Sequence, residues 1–133
     1  MKKTSLSILL ALISWVAFAQ QSLWGGQNIV SPEIHPDNRV TFRFFAPKAV
    51  KVQVTGDFLP PQKIETQYGK MDIPGVADLK EGEKGVWEYT TPEPLASELY
   101  NYTFIVDGLK NVIDPNNVYV NRDVASLFNI FII

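Results

Sequence analysis

One stretch decides the fold class: Arg39–Phe45, which reads RVTFRFF and alternates apolar with polar side chains. In an extended chain, Val40, Phe42 and Phe44 lie on one face and the polar residues between them lie on the other. Because successive side chains of a β-strand point to opposite faces, this pattern predicts a strand half-buried in an antiparallel sheet. The strand must therefore have an apolar core on one side.

Strand patterns recur along the rest of the chain. The valines of Val50–Thr55 alternate with polar residues, and Tyr100–Val106 alternates over its whole length. The latter stretch ends in Asp107-Gly108, which suits a tight hairpin because both positions tolerate positive φ. Further strands are predicted at Gly85–Thr90, Leu109–Ile113 and Leu127–Ile133.

No helical pattern competes with these strands. After residue 19 no stretch offers an apolar stripe of helical length, and proline and glycine turns separate the strands. The sequence therefore predicts an all-β, antiparallel β-sandwich. Because the chain has no cysteine, its apolar core alone must hold the sheets together. The side chains expected to close that core are Phe42, Phe44, Val52, Val54, Trp87, Tyr102 and Phe104.

The segment Asp57–Lys84 departs from this pattern. It contains three prolines and three glycines, which interrupt regular structure. We expect a long exposed loop here, with one short strand at Val76–Leu79.

The N-terminus has the features of an export signal. Two lysines precede an apolar run, Leu6–Phe18, and Ala17-Phe18-Ala19 fits the pattern that a signal peptidase accepts. The run is shorter than the roughly 20 residues of a membrane-spanning helix. We therefore expect cleavage and a secreted or periplasmic protein, with a permanent anchor as the alternative. The predicted organisation is a signal peptide at 1–19, an extended segment at 20–33 and the sandwich domain at 34–133.

The charge of the chain argues against nucleic acid as a partner. Once Lys2 and Lys3 are removed with the leader, 14 acidic residues outnumber the remaining lysines and arginines, which are scattered along the sequence. Binding to phosphates requires a concentrated basic surface. We expect neither nucleic acid nor, after cleavage, a membrane to be a partner.

The sequence offers no catalytic constellation and no metal motif. The mature chain has one histidine, His35, in a turn, and it lacks the Gly-x-Ser-x-Gly elbow of serine hydrolases. Asp57, Asp107 and Asp114 each precede or follow a turn residue, which is ordinary turn chemistry, although the three could cluster in space. We predict no enzyme activity, no metal and no cofactor for this chain.

Several motifs together resemble a known family, the early-set immunoglobulin-like domains of carbohydrate-binding module family 48, the isoamylase N-terminal type. Within it, the sequence most resembles the N-terminal domain of secreted feruloyl and acetyl-xylan esterases of Bacteroides-group bacteria, where a segment like Trp24–Ile34 leads into the sandwich. The motifs are Val40–Pro47, Val52–Phe58, Gly85–Tyr89, Tyr100–Gly108 and Asp114-Pro115. The resemblance implies an immunoglobulin-like (early-set) antiparallel β-sandwich.

The resemblance also implies a function. It identifies a noncatalytic N-terminal module of a secreted polysaccharide-degrading enzyme, a carbohydrate esterase, with plant cell-wall polysaccharide as a second partner. An α/β-hydrolase domain of the same longer polypeptide would follow, and we expect the chain to be cut at a domain boundary because it stops at Ile133 inside a strand. Two alternatives are an autonomous carbohydrate-binding module for xylan or α-glucan and a structural or protein-interaction domain.

Candidate contact residues follow from the family's usual sugar site. The positions that a glycan would touch are Asn101 and Thr103 on the outward face of their strand, and Lys110 and Asn111 across the hairpin. An ordinary solvated sheet face is the alternative. Trp24 lies outside the strand pattern and is either exposed or docked on a neighbouring domain.

The chain departs from the starch-binding members of the family at three places. They have one tryptophan where this chain has Leu59-Pro60-Pro61 and another where it has Leu109-Lys110-Asn111. A lysine of those members corresponds to Thr103. Sugar rings stack on exposed aromatic side chains, so the aromatic platforms typical of starch binding are missing from these positions.

Overall fold

The structure, a computed structural model, describes residues 28–133, so the predicted leader and Trp24 lie outside the described residues. Within them, no helix is long and apolar enough to span a membrane. The described elements are the strands β1 (Glu33–Ile34), β2 (Val40–Phe45), β3 (Val52–Gly56), β4 (Gln62–Thr66), β5 (Gly69–Ile73), β6 (Gly75–Asp78), β7 (Lys80–Glu81), β8 (Val86–Thr90), β9 (Leu99–Val106), β10 (Leu109–Val112), β11 (Val120–Arg122) and β12 (Leu127–Ile132), with one 3-10 turn, Glu83–Gly85, before β8.

Two sheets form the sandwich, and every strand pairing in them is antiparallel. The first sheet has the order β1-β2-β8-β7. The second has the order β11-β12-β9-β3-β6, and β10 also pairs with β9. The strands β4 and β5 pair only with each other. The predicted all-β, immunoglobulin-like antiparallel β-sandwich is confirmed.

The core lies between the two sheets, where the alternating strands direct their apolar side chains. Phe42 of the first sheet is fully buried, and its ring lies 4.9 Å from the ring of Tyr102 in the second. The partly buried Phe44 packs on Phe104 at 4.7 Å. The buried Trp87 satisfies its ring nitrogen by donating to the Ala46 carbonyl at 3.0 Å. All seven side chains predicted to close the core therefore lie in it or pack against it.

The prediction of a long loop at Asp57–Lys84 is wrong. The segment contains four strands, and of these only β6 corresponds to the predicted one. The prolines lie outside the strands, and Pro74 separates β5 from β6. Gly69, with φ of 111°, and Gly75 are the first residues of β5 and β6. Short strands that follow one another closely need proline and glycine in the turns between them, and these residues had suggested a loop.

The hairpin predicted at Asp107-Gly108 is confirmed. Both residues have positive φ, 48° and 86°, as a tight turn between two strands requires. The Asp107 carboxylate also accepts hydrogen bonds from the backbone N–H groups of Val50 and Lys51, at 2.9 and 2.8 Å. The turn is thus tied to the start of β3, the strand beside β9.

Candidate functional site

The four predicted glycan contacts line one groove of about 550 Å³ on the outer face of the second sheet. Asn101 and Thr103 come from β9, and Lys110 and Asn111 come from β10, which returns beside β9 after the hairpin. The pairing of β10 shifts between Leu109 and Val112, and Asn111 has a positive φ of 61°. An irregularity of this kind re-aims side chains, which accounts for both β10 residues facing the groove.

The floor of the groove is packed rather than solvated. Thr103 is 3% exposed and Ile105 is 9% exposed, although both lie on the outward face of β9. Thr103 pairs in register with Thr55 of β3, and Thr55 donates from its hydroxyl to the Gly75 carbonyl at 2.8 Å. The predicted outward direction of these two side chains agrees with the structure, and both are covered. Lys110 and Asn111 are exposed, so for them an ordinary solvated sheet face remains the alternative.

Asn101 is held at one end of the groove by Asp57. The two Asp57 carboxylate oxygens accept from the backbone N–H and the side-chain amide of Asn101, at 2.9 and 3.0 Å. The remaining amide oxygen of Asn101 is buried and has no hydrogen-bond partner among the described residues. Gly56 permits this approach, because a Cβ there would lie 2.5 Å from the Asn101 carbonyl oxygen.

Several groove residues escaped prediction because they come from strands that are distant in the sequence. Ile73 and Pro74 form an apolar wall at the junction of β5 and β6, while Asn121 and Phe128 belong to β11 and β12. Phe128 lies in Leu127–Ile132, which is so apolar that its faces are hard to distinguish. The one signal in the sequence was Asn129, the single polar residue of this strand. Asn129 and Phe131 share the buried face of β12, so Phe128 lies on the opposite face.

A cluster of buried polar side chains anchors β9 from beneath the groove. Tyr102, also on β9, donates from its hydroxyl to Asp114 Oδ2 at 2.9 Å and accepts from the Asn117 amide at 3.0 Å. Ser31 donates to the same Asp114 oxygen at 2.6 Å. Asn129 accepts from the backbone N–H of Asp114 at 2.6 Å. The cluster therefore joins the segment before β1, the central strand β9 and the chain after β10.

Burial governs the protonation of this cluster. Asp114 is 1% exposed, and desolvation raises the pKa of its carboxyl even though Ser31, Tyr102 and Asn116 donate hydrogen bonds that favour the charged form. Burial and the nearby Asp114 carboxyl also raise the pKa of Tyr102. Asp114 makes the turn that was predicted, because its Oδ1 accepts from the Asn116 N–H at 2.9 Å and its carbonyl accepts from the Asn117 N–H at 3.3 Å. Its burial and its bond with Tyr102 were not predicted.

The remaining candidates for catalysis or metal binding, His35, Asp57 and Asp107, form hydrogen bonds that support turns and strands. His35 lies in the predicted turn, where its carbonyl accepts from the Asn38 N–H at 2.9 Å and its Nε2 lies 2.7 Å from Thr41 Oγ1. The Asp57 carboxylate accepts a hydrogen bond from the Asn101 N–H, and the Asp107 carboxylate accepts one from the Val50 N–H. Within residues 28–133, no group of three or more histidine and acidic side chains is arranged to hold a metal ion.

A second groove, of about 560 Å³, lies beside the segment that precedes β1. Its lining is mainly apolar and includes Val30, Ile34, Val118 and Ile132, all of which are exposed. None of the predicted glycan contacts lines this groove. Its polar lining residues Ser31, Asn116 and Asn117 already form hydrogen bonds within the Asp114 cluster. The groove on the second sheet is therefore the better candidate for sugar.

Comparison with known proteins agrees with this architecture. The model of the carbohydrate-binding module 48 family (isoamylase N-terminal domain) matches residues 30–117. Among solved structures, the fold is similar to part of a pullulanase from Anoxybacillus sp. LM18-11. In its complex with maltotetraose the identity is 19%, the match covers 79% of this chain and 14% of that chain, and the TM-score is 0.50. In its complex with maltotriose the values are 18%, 80%, 14% and 0.52.

The two likenesses differ in what they show. At this identity the pullulanase structures establish the fold alone, and the present chain corresponds to only a small part of their length. No curated protein matches the sequence. The family match is different, because it extends over about two thirds of the chain. The chain therefore belongs to carbohydrate-binding module family 48, the noncatalytic binding modules of the isoamylase N-terminal type.

Proposed function

We propose that this chain is the noncatalytic N-terminal module of a secreted polysaccharide-degrading enzyme, a carbohydrate esterase, and that it contacts neutral glycan in the groove on its second sheet. The observation that carries the proposal is the convergence of Asn101, Thr103, Lys110 and Asn111 in one groove. Amide and ammonium groups supply directional hydrogen bonds to sugar hydroxyls, while apolar walls cover the C–H faces of the rings. The groove offers both kinds of surface.

Charge and size support a neutral oligosaccharide as the ligand. Asp57 and Asp123 offset the single lysine of the groove, Lys110, so a strongly acidic glycan would gain little there. The volume falls within the range of about 300–1,000 Å³ that small-ligand sites occupy. The pullulanase with the similar fold was crystallised with malto-oligosaccharides, and the resemblance to esterases points to xylan, so both glycans belong in the test.

Isothermal titration of the chain with xylohexaose and maltoheptaose tests the binding site. We expect saturable binding of one of them, weakened by Lys110→Ala and by Asn101→Ala. Lys63→Ala provides the matched control, because Lys63 is an exposed lysine on β4 that does not line the groove. If neither glycan gives binding heat, the glycan-binding part of the proposal is overturned. Equal loss in the control variant would overturn the choice of groove.

The esterase assignment has a separate test. Reading the gene beyond codon 133 is expected to reveal a Gly-x-Ser-x-Gly elbow within an α/β-hydrolase domain. An amylase-type barrel in that place would replace the esterase by an α-glucan-active enzyme.

A second candidate function, protein interaction, is favoured by the apolar groove beside β1. Val118 is 85% exposed, Tyr119 69% and Ile132 64%, and all three line it. An apolar surface of this kind suits packing against another domain. The test is to attach the downstream domain and measure hydrogen exchange. Protection of Val118–Val120 and β12 is expected if they pack together, and unchanged exchange would dismiss this surface.

A further inference from the structure

Phe128 is an aromatic side chain that the core does not explain. On β12 the buried residues Asn129 and Phe131 face inward, at 0% and 5% exposure, whereas Phe128 is only partly buried. Seven aromatic side chains of the core form a continuous set of ring contacts with centroids 4.7–5.9 Å apart, and Phe128 is not one of them: Phe42, Phe44, Phe58, Tyr100, Tyr102, Phe104 and Phe131. Its apolar surface therefore serves the other side of the sheet.

Strand pairing places Phe128, which lines the groove, between β11 and β9. It pairs with Asn121 of β11, and the adjacent pair Asn129–Tyr102 puts it beside Thr103 of β9. Two aromatic residues line the groove among the described residues, Tyr102 and Phe128. The Tyr102 ring packs in the core, where its hydroxyl is bonded to Asp114. Among residues 28–133, Phe128 is therefore the one aromatic side chain whose surface this groove can offer to a ligand.

The positions where related starch-binding domains have tryptophan offer no replacement. Phe58, the nearest aromatic before Leu59-Pro60-Pro61, stacks on Phe42 at 4.8 Å and packs against the core. The residues after the hairpin are Leu109, Lys110 and Asn111. An aromatic platform from β12 thus stands in a groove whose other expected platforms are absent.

The surroundings of Phe128 specify the kind of ligand. Asn121 lies directly beside it, and Lys110 and Asn111 line the same groove, so amide and ammonium groups can reach the hydroxyls of a ring that lies on the phenyl face. A pyranose ring presents C–H groups to an aromatic face and hydroxyls around its edge, which matches this combination. Asp57 and Asp123 outnumber Lys110 in the groove, which disfavours an acidic sugar, so the ring would be uncharged.

We propose that Phe128 is the sugar-stacking residue of this module and takes one pyranose ring of an uncharged glycan, with Asn121 bonding to that ring's hydroxyls. The inference rests on the proposed glycan-binding function. On this inference, the ring of Phe128 on β12 contributes most of the affinity for the glycan. Replacing that ring should therefore weaken binding more than replacing any polar residue of the groove.

Four variants of the chain test the proposal, each titrated with the glycan that wild type binds. Phe128→Ala and Phe128→Leu are expected to lower the affinity at least tenfold and about fivefold, because leucine keeps apolar bulk but has no ring face. Phe128→Trp is expected to bind as well as wild type or better. Asn121→Ala is expected to lower the affinity about twofold to threefold, less than either Phe128→Ala or Phe128→Leu, since a single hydrogen bond contributes less than the stacked face.

Proton NMR of the bound glycan adds a readout that a purely structural residue would not affect. Ring protons stacked on a phenyl face shift upfield, and this shift is expected in wild type and Phe128→Trp but not in Phe128→Leu. If Phe128→Leu binds like wild type while Lys110→Ala does not, the groove binds sugar but Phe128 is not the platform. If wild type binds no glycan, the proposed function and this inference both fail.

Discussion

The substitution Tyr102→Phe removes one oxygen from the buried polar cluster and leaves the aromatic core in place. Tyr102 is 1% exposed, and its hydroxyl donates to Asp114 at 2.9 Å and accepts from Asn117 at 3.0 Å. Both partners keep other bonds, because Ser31 still donates to the same Asp114 oxygen and the Asn117 amide still donates to the Ile130 carbonyl. Two buried hydrogen bonds are lost, and neither partner becomes fully unsatisfied.

The expected cost follows from these two bonds. A typical intramolecular hydrogen bond contributes about 1 kcal/mol, and one to a charged group about 1.5–3 kcal/mol. Burial raises the pKa of the Asp114 carboxyl. Because that carboxyl keeps its bonds from Ser31 and Asn116 in the variant, we place the loss of the Tyr102 bond near the lower end of that range. We therefore expect the free energy of unfolding to fall by about 2 kcal/mol.

Urea unfolding followed by tryptophan fluorescence measures this loss. With an m-value of about 2 kcal/mol/M, the midpoint should fall by about 1 M while m stays unchanged. Tyr119→Phe is the matched control, because Tyr119 is 69% exposed, and it should change stability by less than about 0.5 kcal/mol. A Tyr102→Phe midpoint no lower than that of the control would refute the assignment of the cluster as a stabilising anchor of β9.

Two further predictions concern the same fold. Because burial raises the pKa of Asp114, the folded state binds that proton more tightly than the unfolded chain. The resulting contribution to stability is full below the unfolded pKa of about 4 and is lost as pH rises through the folded pKa, so the urea midpoint should fall over that range. The Asp114→Asn variant should lack this fall, and parallel pH profiles of the two proteins would contradict the prediction. Gly85→Ala should lower the free energy of unfolding by about 2–4 kcal/mol, since φ is +76° and the added Cβ would lie 2.4 Å from the Pro47 Cβ. Gly69→Ala, at φ +111° with no atom within 4 Å, should lower it by about 1 kcal/mol. Equal shifts of the melting temperature in the two variants would show that the contact with Pro47 has no effect.

Local pattern was sufficient for the main strands. The alternation in Arg39–Phe45 and Tyr100–Val106 predicted both β2 and β9 and their inward faces, because the two-residue period is a property of the extended backbone itself. The same approach failed at Gln62–Ile73. The hairpin there exposes most of both strands. Because neither strand needs a buried apolar face, apolar and polar residues alternate only weakly in this part of the sequence.

The candidate groove was predicted in part for the same reason. Asn101, Thr103, Lys110 and Asn111 lie on one hairpin, whose local geometry brings them together. Asn121 and Phe128 reach the groove only through the pairing of β11 with β12 and of β12 with β9. Those pairings join residues far apart in the chain, and no local pattern specifies them.

The sequence by itself determined which segments are extended, which side chains face inward and where the hairpin at Asp107-Gly108 turns, since steric preferences and side-chain period act within a few residues. Only the tertiary structure decided that Thr103 is packed beneath a groove, that Asp114 is a buried partner of Tyr102, and that Phe128 faces the groove. Burial and register depend on which strands become neighbours, and that outcome minimises the free energy of the whole chain rather than of any one segment.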